Sequence, residues 1–192
     1  MQYFTDILKR YLDDSGSDKD RDHNYSVAYE KFLDNRDVKN MLEIGIANVV
    51  PEKSSLWAWK SIFPEAHIYG IDVVPGKMIE SDRITTSVVD QSSLDQLTKF
   101  KDSTGVKFDI ILDDGSHVFD HAWLTFSVLF ECISDGGIYL IEDIHKQAGM
   151  WQQSVSDWTD SLDKIEGISY SVIDCLPERN DDSVVIGIWK NV

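Results

Sequence analysis

From residue 41 onward, short apolar runs alternate with amphipathic stretches, and this rhythm restricts the possible folds more than any other feature. The runs over 41–46, 67–72, 84–89, 108–112 and 137–141 are short, and the clearest of them, 41–46, is apolar and contains glycine near its end, so they read as strands of a buried parallel sheet. Helices are predicted between them. One covers 54–63 and is stopped by Pro64, and a second covers 92–101. A third places Phe119, Ala122, Trp123, Phe126, Leu129 and Phe130 on one face, and a fourth covers 151–165. Strands over 169–174 and 184–189, joined through Pro177 to Asp182, predict an antiparallel hairpin. The expected fold is α/β: a Rossmann-like, doubly wound, mostly parallel seven-stranded sheet ending in that hairpin. Upstream, Tyr3, Phe4, Ile7, Leu8, Tyr11 and Leu12 form one helical stripe, and a polar loop follows over 13–24. Tyr25, Ala28, Tyr29, Phe32 and Leu33 then form another stripe. The expectation is a single domain over 1–192, with a helical cap over 1–40 and an α/β core over 41–192.

Charge narrows the partners. With 34 acidic against 18 basic residues the formal charge is −16, which disfavours nucleic acid and anionic membranes, since both need a basic footprint. The start of the chain lacks a basic segment followed by an apolar run, and no stretch approaches the roughly 20 apolar residues that cross a bilayer. A cytoplasmic protein acting on a small molecule or glycan is expected, with homo-oligomerisation left open. Cys132 and Cys175 match no zinc spacing, and Cys132 reads as a buried thiol.

In an open α/β sheet, ligands bind beyond the carboxyl ends of the strands, where the strand order reverses. Glu43 and Gly45 stand at the end of the first strand, Asp72 at the end of the second, and Asp90 and Gln91 after the third. A glycine there admits close backbone approach by a ligand, a carboxylate accepts ribose hydroxyls, and an Asp-Gln pair suits an adenine edge. Taken alone, Gly45 could be structural and Asp72 could cap a turn; it is their joint placement that favours a cofactor. The GxGxxG fingerprint is absent, with Asn48 and Pro51 near where its later glycines would stand, and this favours a cofactor without a pyrophosphate, such as S-adenosylmethionine. Over residues 41 to 190 the chain resembles the class I S-adenosylmethionine-dependent methyltransferases. The resemblance implies that Glu43 and Gly45 belong to the first cofactor motif, Asp72 binds the ribose, and Asp90 and Gln91 lie by the adenine. The departure is Ala47-Asn48-Val49-Val50, where the family carries more glycine.

The fourth strand runs into Asp113-Asp114-Gly115-Ser116-His117 and the fifth into Glu142-Asp143-Ile144-His145. Asp113, at the strand end, falls on the cofactor side. Neighbouring strands would converge four carboxylates and two imidazoles, and like charges a few ångströms apart repel by several kcal/mol at an effective dielectric near ~20. Protonation, a Lys or Arg partner, or a metal ion must offset that. Oxygen-rich ligands suit Mg²⁺ or another hard divalent cation, and His117 could act as general base for a hydroxyl held by it. In the bland alternative, Ser116 caps the next helix. Lys19, Arg21 and His23 could hold a cofactor or acceptor carboxylate, or simply lie in solvent. Trp57 and Trp59 read as core or interface residues rather than cofactor-stacking ones, while Trp151 and Trp158 could line a sugar site or pack inside.

These segments, with Ser17-Asp18-Lys19, His23-Asn24-Tyr25 and Tyr29-Glu30, resemble the metal-dependent sugar O-methyltransferases of macrolide biosynthesis and the related cephalosporin hydroxylase group. That resemblance implies Asp114, Glu142 and Asp143 as Mg²⁺ ligands, His117 as base, and closure of the 17–25 loop over the site. The expected activity is S-adenosylmethionine-dependent, Mg-assisted O-methylation of a hydroxyl on a sugar, glycan or glycosylated small molecule. A metal-independent methyltransferase and a silent ligand-binding module are the alternatives.

Overall fold

The computed structural model describes residues 4–46, 53–147, 153–179 and 182–191. In chain order these form α1 (Phe4–Ser15), α2 (Ser26–Leu33), β1 (Asn40–Ile44), α3 (Ser55–Ile62), β2 (His67–Asp72), β3 (Glu80–Ser81) and β4 (Ile84–Val88). They continue with α4 (Leu94–Thr104), β5 (Phe108–Asp113), α5 (Phe119–Leu129), β6 (Ile133–Ile144), α6 (Val155–Leu162), β7 (Ile168–Asp174) and β8 (Val184–Lys190).

The strands form one sheet in the order β3-β4-β2-β1-β5-β6-β8-β7. β4, β2, β1, β5 and β6 run parallel, while β8 and β7 add antiparallel at one edge and β3 at the other. The Rossmann-like architecture is the one the alternation of runs predicts. The eighth strand is a correction to the expected seven: Glu80–Ser81 pairs with β4 over two residues, too short to leave any periodic trace. β6 is also longer than the expected 137–141 run, because Ile133 to Gly136 extend it on the N-terminal side and Glu142 to Ile144 on the other. The helix expected over 151–165 begins at Val155 within the described residues, and Trp151 and the Ala47–Pro51 stretch lie outside them.

Alternation along the strands sorts side chains to two faces. Met41, Ile110, Leu112, Ile138 and Leu140 pack with α1, α2 and α3, so the two N-terminal helices share a layer with α3. Leu42, Ile44, Ile111, Tyr139 and Ile141 pack with α4, α5 and α6. Trp59 is fully buried and meets Tyr29 edge-on at 5.1 Å, consistent with a core role. Trp158 is likewise buried, packed edge-on against Phe119 at 4.6 Å.

The start of α3 is fixed by Ser54, whose hydroxyl accepts from the Leu56 amide at 3.2 Å and donates to the Ile46 carbonyl. It therefore caps a helix and ties down the chain leaving β1. Ser54→Ala is expected to lower stability by ~1–2 kcal/mol, measured as a shift in the urea midpoint at constant slope.

Candidate active site

Strand order reverses between β1 and β5, since the chain builds β2 and β4 on one side of β1 and β5 and β6 on the other. Ile44 pairs with Asp113, and Asp113 with Ile141, so β1 and β5 end level and β6 runs on past them to Ile144. Beyond those ends lies a cavity of about 590 Å³, walled on its far side by the loop between α1 and α2. No described helix is long and apolar enough to cross a membrane.

Gly45 and Asp72 line one half of this cavity. Gly45 sits at φ +82°, and a Cβ there would overlap the Asp114 carbonyl oxygen, so only glycine lets the two loops close together. Asp72 accepts from the Val74 amide at 2.8 Å and the Ile46 amide at 3.3 Å while still facing the cavity. It therefore caps a turn and lines the site at once.

The other expected cofactor residues are placed elsewhere. Asp90 accepts from the amide (2.9 Å) and hydroxyl (2.6 Å) of Ser92, and it does not line the cavity. Gln91 is buried; its amide nitrogen donates to Asp113 at 3.2 Å and its oxygen accepts from the Ser116 amide, bracing the 113–117 loop from behind. Asp113 faces away from the cavity, as strand alternation requires, and also accepts from Tyr139 at 3.0 Å. Burial pushes its carboxyl up to about 6 against these hydrogen bonds. Glu43 is buried on the other face, where it accepts from Ser55 at 2.7 Å. Ser116 does not cap α5. That position belongs to Val118, and the Ser116 hydroxyl instead pairs with the His121 ring at 2.9 Å.

The second half is acidic and centres on Lys19. Only 3% of this side chain is exposed, and its ammonium lies 2.5 Å from Asp114, 2.5 Å from Glu142 and 3.4 Å from Glu43. Three carboxylates from the ends of β1, β5 and β6 thus share one cation from the α1–α2 loop. Burial pulls the ammonium down, but the three carboxylates outweigh it and hold it well above the usual lysine value. Burial raises Asp114 beyond what Lys19 lowers it and brings Glu142 up to about 7. One positive charge therefore leaves the cluster short of neutralisation. Arg21 and His23 from the same loop also line the cavity, Arg21 exposed and paired with Asp22.

Alternation would separate Glu142 from Asp143, because adjacent strand residues face opposite ways. Glu142 follows the rule: one oxygen meets Lys19 and the other the Tyr29 hydroxyl. Asp143 breaks it, with a register irregularity between Ile141 and Ile144 and a φ of +54° that turn its carboxylate into the cavity. There it accepts from the Tyr25 hydroxyl at 2.7 Å and lies 3.3 Å from His117 Nδ1. Burial alone would raise Asp143, yet His117, Tyr25 and Lys19 together bring it below the ordinary carboxylate value. His117 also has a positive φ of +55°, so both facing residues hold a backbone conformation that L-residues adopt at a cost. Ligand atoms of Asp114, His117 and Asp143 lie within 4.8 Å of one another. Of the expected metal set, Asp114 and Asp143 come together, and Glu142 stays behind them on Lys19 and Tyr29.

Sequence reading missed the hub role of Lys19 and the contributions of Tyr25, Tyr29 and Asp182. The tyrosines sit on an apolar helical stripe that reads as core, and Asp182 sits in a hairpin connection that reads as turn. For Lys19 and the two tyrosines the signal was the resemblance through the segment from Ser17 to Glu30; Asp182 lies outside it and had none.

No protein-family model matches the chain. It is 33% identical over 166 residues to 8-demethyl-8-alpha-L-rhamnosyl tetracenomycin-C 2'-O-methyltransferase of Streptomyces olivaceus, covering 84% of this chain and 43% of that one. It is 42% identical over 129 residues to demethylmacrocin O-methyltransferase of Streptomyces fradiae, covering 64% of this chain and 32% of that one. The chain thus spans less than half the length of these curated relatives. The structure of MycE methyltransferase from the mycinamycin biosynthetic pathway, in complex with Mg and SAH, matches with TM-score 0.77 and 26% identity over 99% of this chain and 55% of that one. An O-methyltransferase from Bacillus cereus in complex with SAH, 14% identical, matches in fold with TM-score 0.64 over 96% of this chain and 90% of that one. The fold is that of the class I S-adenosylmethionine-dependent methyltransferases, and the chain's homologues are macrolide and sugar O-methyltransferases.

Proposed function

We propose that this chain is a single-domain, S-adenosylmethionine-dependent O-methyltransferase that uses a divalent cation, Mg²⁺ by preference, to methylate a hydroxyl of a sugar, glycan or glycosylated small molecule. The observation that carries the reading is one cavity in which Gly45 and Asp72 face Asp114, His117 and Asp143. Gly45 and Asp72 would hold the donor's backbone-facing and ribose portions. Asp114 and Asp143 would hold the cation, which supplies Lewis acidity to the acceptor oxygen. The donor set fits, since carboxylates with a nearby imidazole suit hard to borderline divalent ions, and the cluster carries more negative charge than Lys19 offsets. Asp143, 3.3 Å from His117 Nδ1, orients the ring with Nε2 free to take the acceptor proton as general base. The donor held by Gly45 and Asp72 would supply the methyl group to that oxygen, and the protein's own part would be to align the two. Glu43, Gln91 and Asp113 support these loops from within, and Asp90 shapes the turn ahead of α4. We place the protein in the cytoplasm, acting on a small molecule rather than on nucleic acid, in keeping with its net charge of −16.

Calorimetry with S-adenosylhomocysteine, combined with methyl-transfer assays on acceptors named for the relatives, such as demethylmacrocin, tests the reading. Binding of S-adenosylhomocysteine is expected without metal, and turnover is expected to require Mg²⁺. Full activity retained after exhaustive chelation would overturn the metal role, and an absence of S-adenosylhomocysteine binding would overturn the cofactor.

A further inference from the structure

The far side of Asp143 carries a second group of donors that the proposed chemistry does not use. His23 Nδ1 lies 3.7 Å from Asp143 Oδ1 and 3.6 Å from Asp182 Oδ1, and all three residues line the cavity. The ligand atoms of the three fall within 4.8 Å of one another. His145 Nε2 stands 3.8 Å from the other oxygen of Asp182. These separations are too long for hydrogen bonds, which close at about 2.7–3.2 Å between nitrogen and oxygen. They approach ligand spacing instead, because a cation about 2.0–2.2 Å from each donor sets the donors roughly 3.0–3.4 Å apart. A contraction of a few tenths of an ångström would bring both His23–carboxylate separations to that spacing.

Asp143 is oriented to serve two sides. Its Oδ2 faces His117, while its Oδ1 faces His23 and accepts from the Tyr25 hydroxyl. Tyr25 also accepts from the Asp143 amide at 3.1 Å, which fixes the carboxylate in this bridging attitude. The Tyr25 ring stacks on His23 at 5.0 Å and 21°, fixing the imidazole plane. Ser183, whose hydroxyl lies 3.3 Å from His23 Nδ1, would give up that contact.

We propose that His23, Asp182 and Asp143 form a second divalent-cation site, with Asp143 bridging it to the first, so that the chain carries a two-metal centre. The imidazole donor, with His145 in reserve, selects a borderline first-row ion such as Mn²⁺, Co²⁺ or Zn²⁺ over Mg²⁺. The inference rests on the metal reading above only through the shared Asp143.

Equilibrium Mn²⁺ binding to the full chain, followed by calorimetry and electron paramagnetic resonance, tests it without any acceptor. Two Mn²⁺ per chain are expected, with the spin coupling of ions about 3.5–4 Å apart. His23→Gln and Asp182→Asn are each expected to reduce this to one uncoupled ion, with far-UV circular dichroism confirming the fold. A single Mn²⁺ in the wild type, or two ions retained in both variants, would overturn the second site and leave the first standing. No Mn²⁺ at all would overturn both.

Discussion

Replacing Lys19 with methionine is expected to destabilise the folded protein by about 3–5 kcal/mol, measured by urea unfolding at pH 7.5 without divalent ions. The methionine fills the same volume, so packing is nearly conserved and the loss reports charge. Glu43, Asp114 and Glu142 would remain buried with no cation between them, and removing one partner of a buried ionic cluster costs far more than breaking a surface pair. The pH dependence follows from Glu142. Its folded carboxyl is raised from 4.5 to about 7, so the native state binds the extra proton and stability is lost as pH rises across that window. Without Lys19 the raised value moves higher still, so Lys19→Met should be least harmful near pH 5 and most harmful above neutrality. Lys19→Arg should recover part of the loss. A cost below 1 kcal/mol at pH 7.5, or a variant equally unstable at pH 5, would show that the ammonium is not what holds the three strand ends together.

The sequence reveals where the site lies because strand ends are legible. Apolar runs stopping at Gly45, Asp72 and Asp114 mark the carboxyl edge, and the parallel topology brings those edges level. What the runs do not announce is the face to which each acid points. Alternation from Leu112 and Leu140 would have assigned Asp114 and Glu142 to the side of the N-terminal helices, and Asp113 to the other side with Tyr139. Four acids converging in one pocket would run against that rule. Asp143 could not have been placed by it, since a positive φ and a register irregularity reverse its direction. Lys19 lies 95 residues from Asp114 and 123 from Glu142, so no local pattern links them. The extra edge strand, two residues long, falls below any periodic signal.

His117→Asn should lower kcat for methyl transfer by about 10²- to 10⁴-fold while leaving S-adenosylhomocysteine affinity and thermal stability close to wild type. Asparagine is the informative replacement because it tolerates the left-handed backbone that His117 adopts at φ +55°, so the loop should keep its course. The side chain is 36% exposed and carries little packing, which separates chemistry from folding. An amide cannot take up a proton near neutrality, so a hydroxyl that depends on a base would lose it, whereas one ionised by a cation alone would not. The size of the defect therefore divides the barrier between the two devices. A fall of less than tenfold assigns deprotonation to the cation and strips His117 of its role. A full loss that diminishes as the assay pH is raised, with hydroxide replacing the ring, would mark His117 as the base and Asp143, 3.3 Å behind it, as the group that orients it.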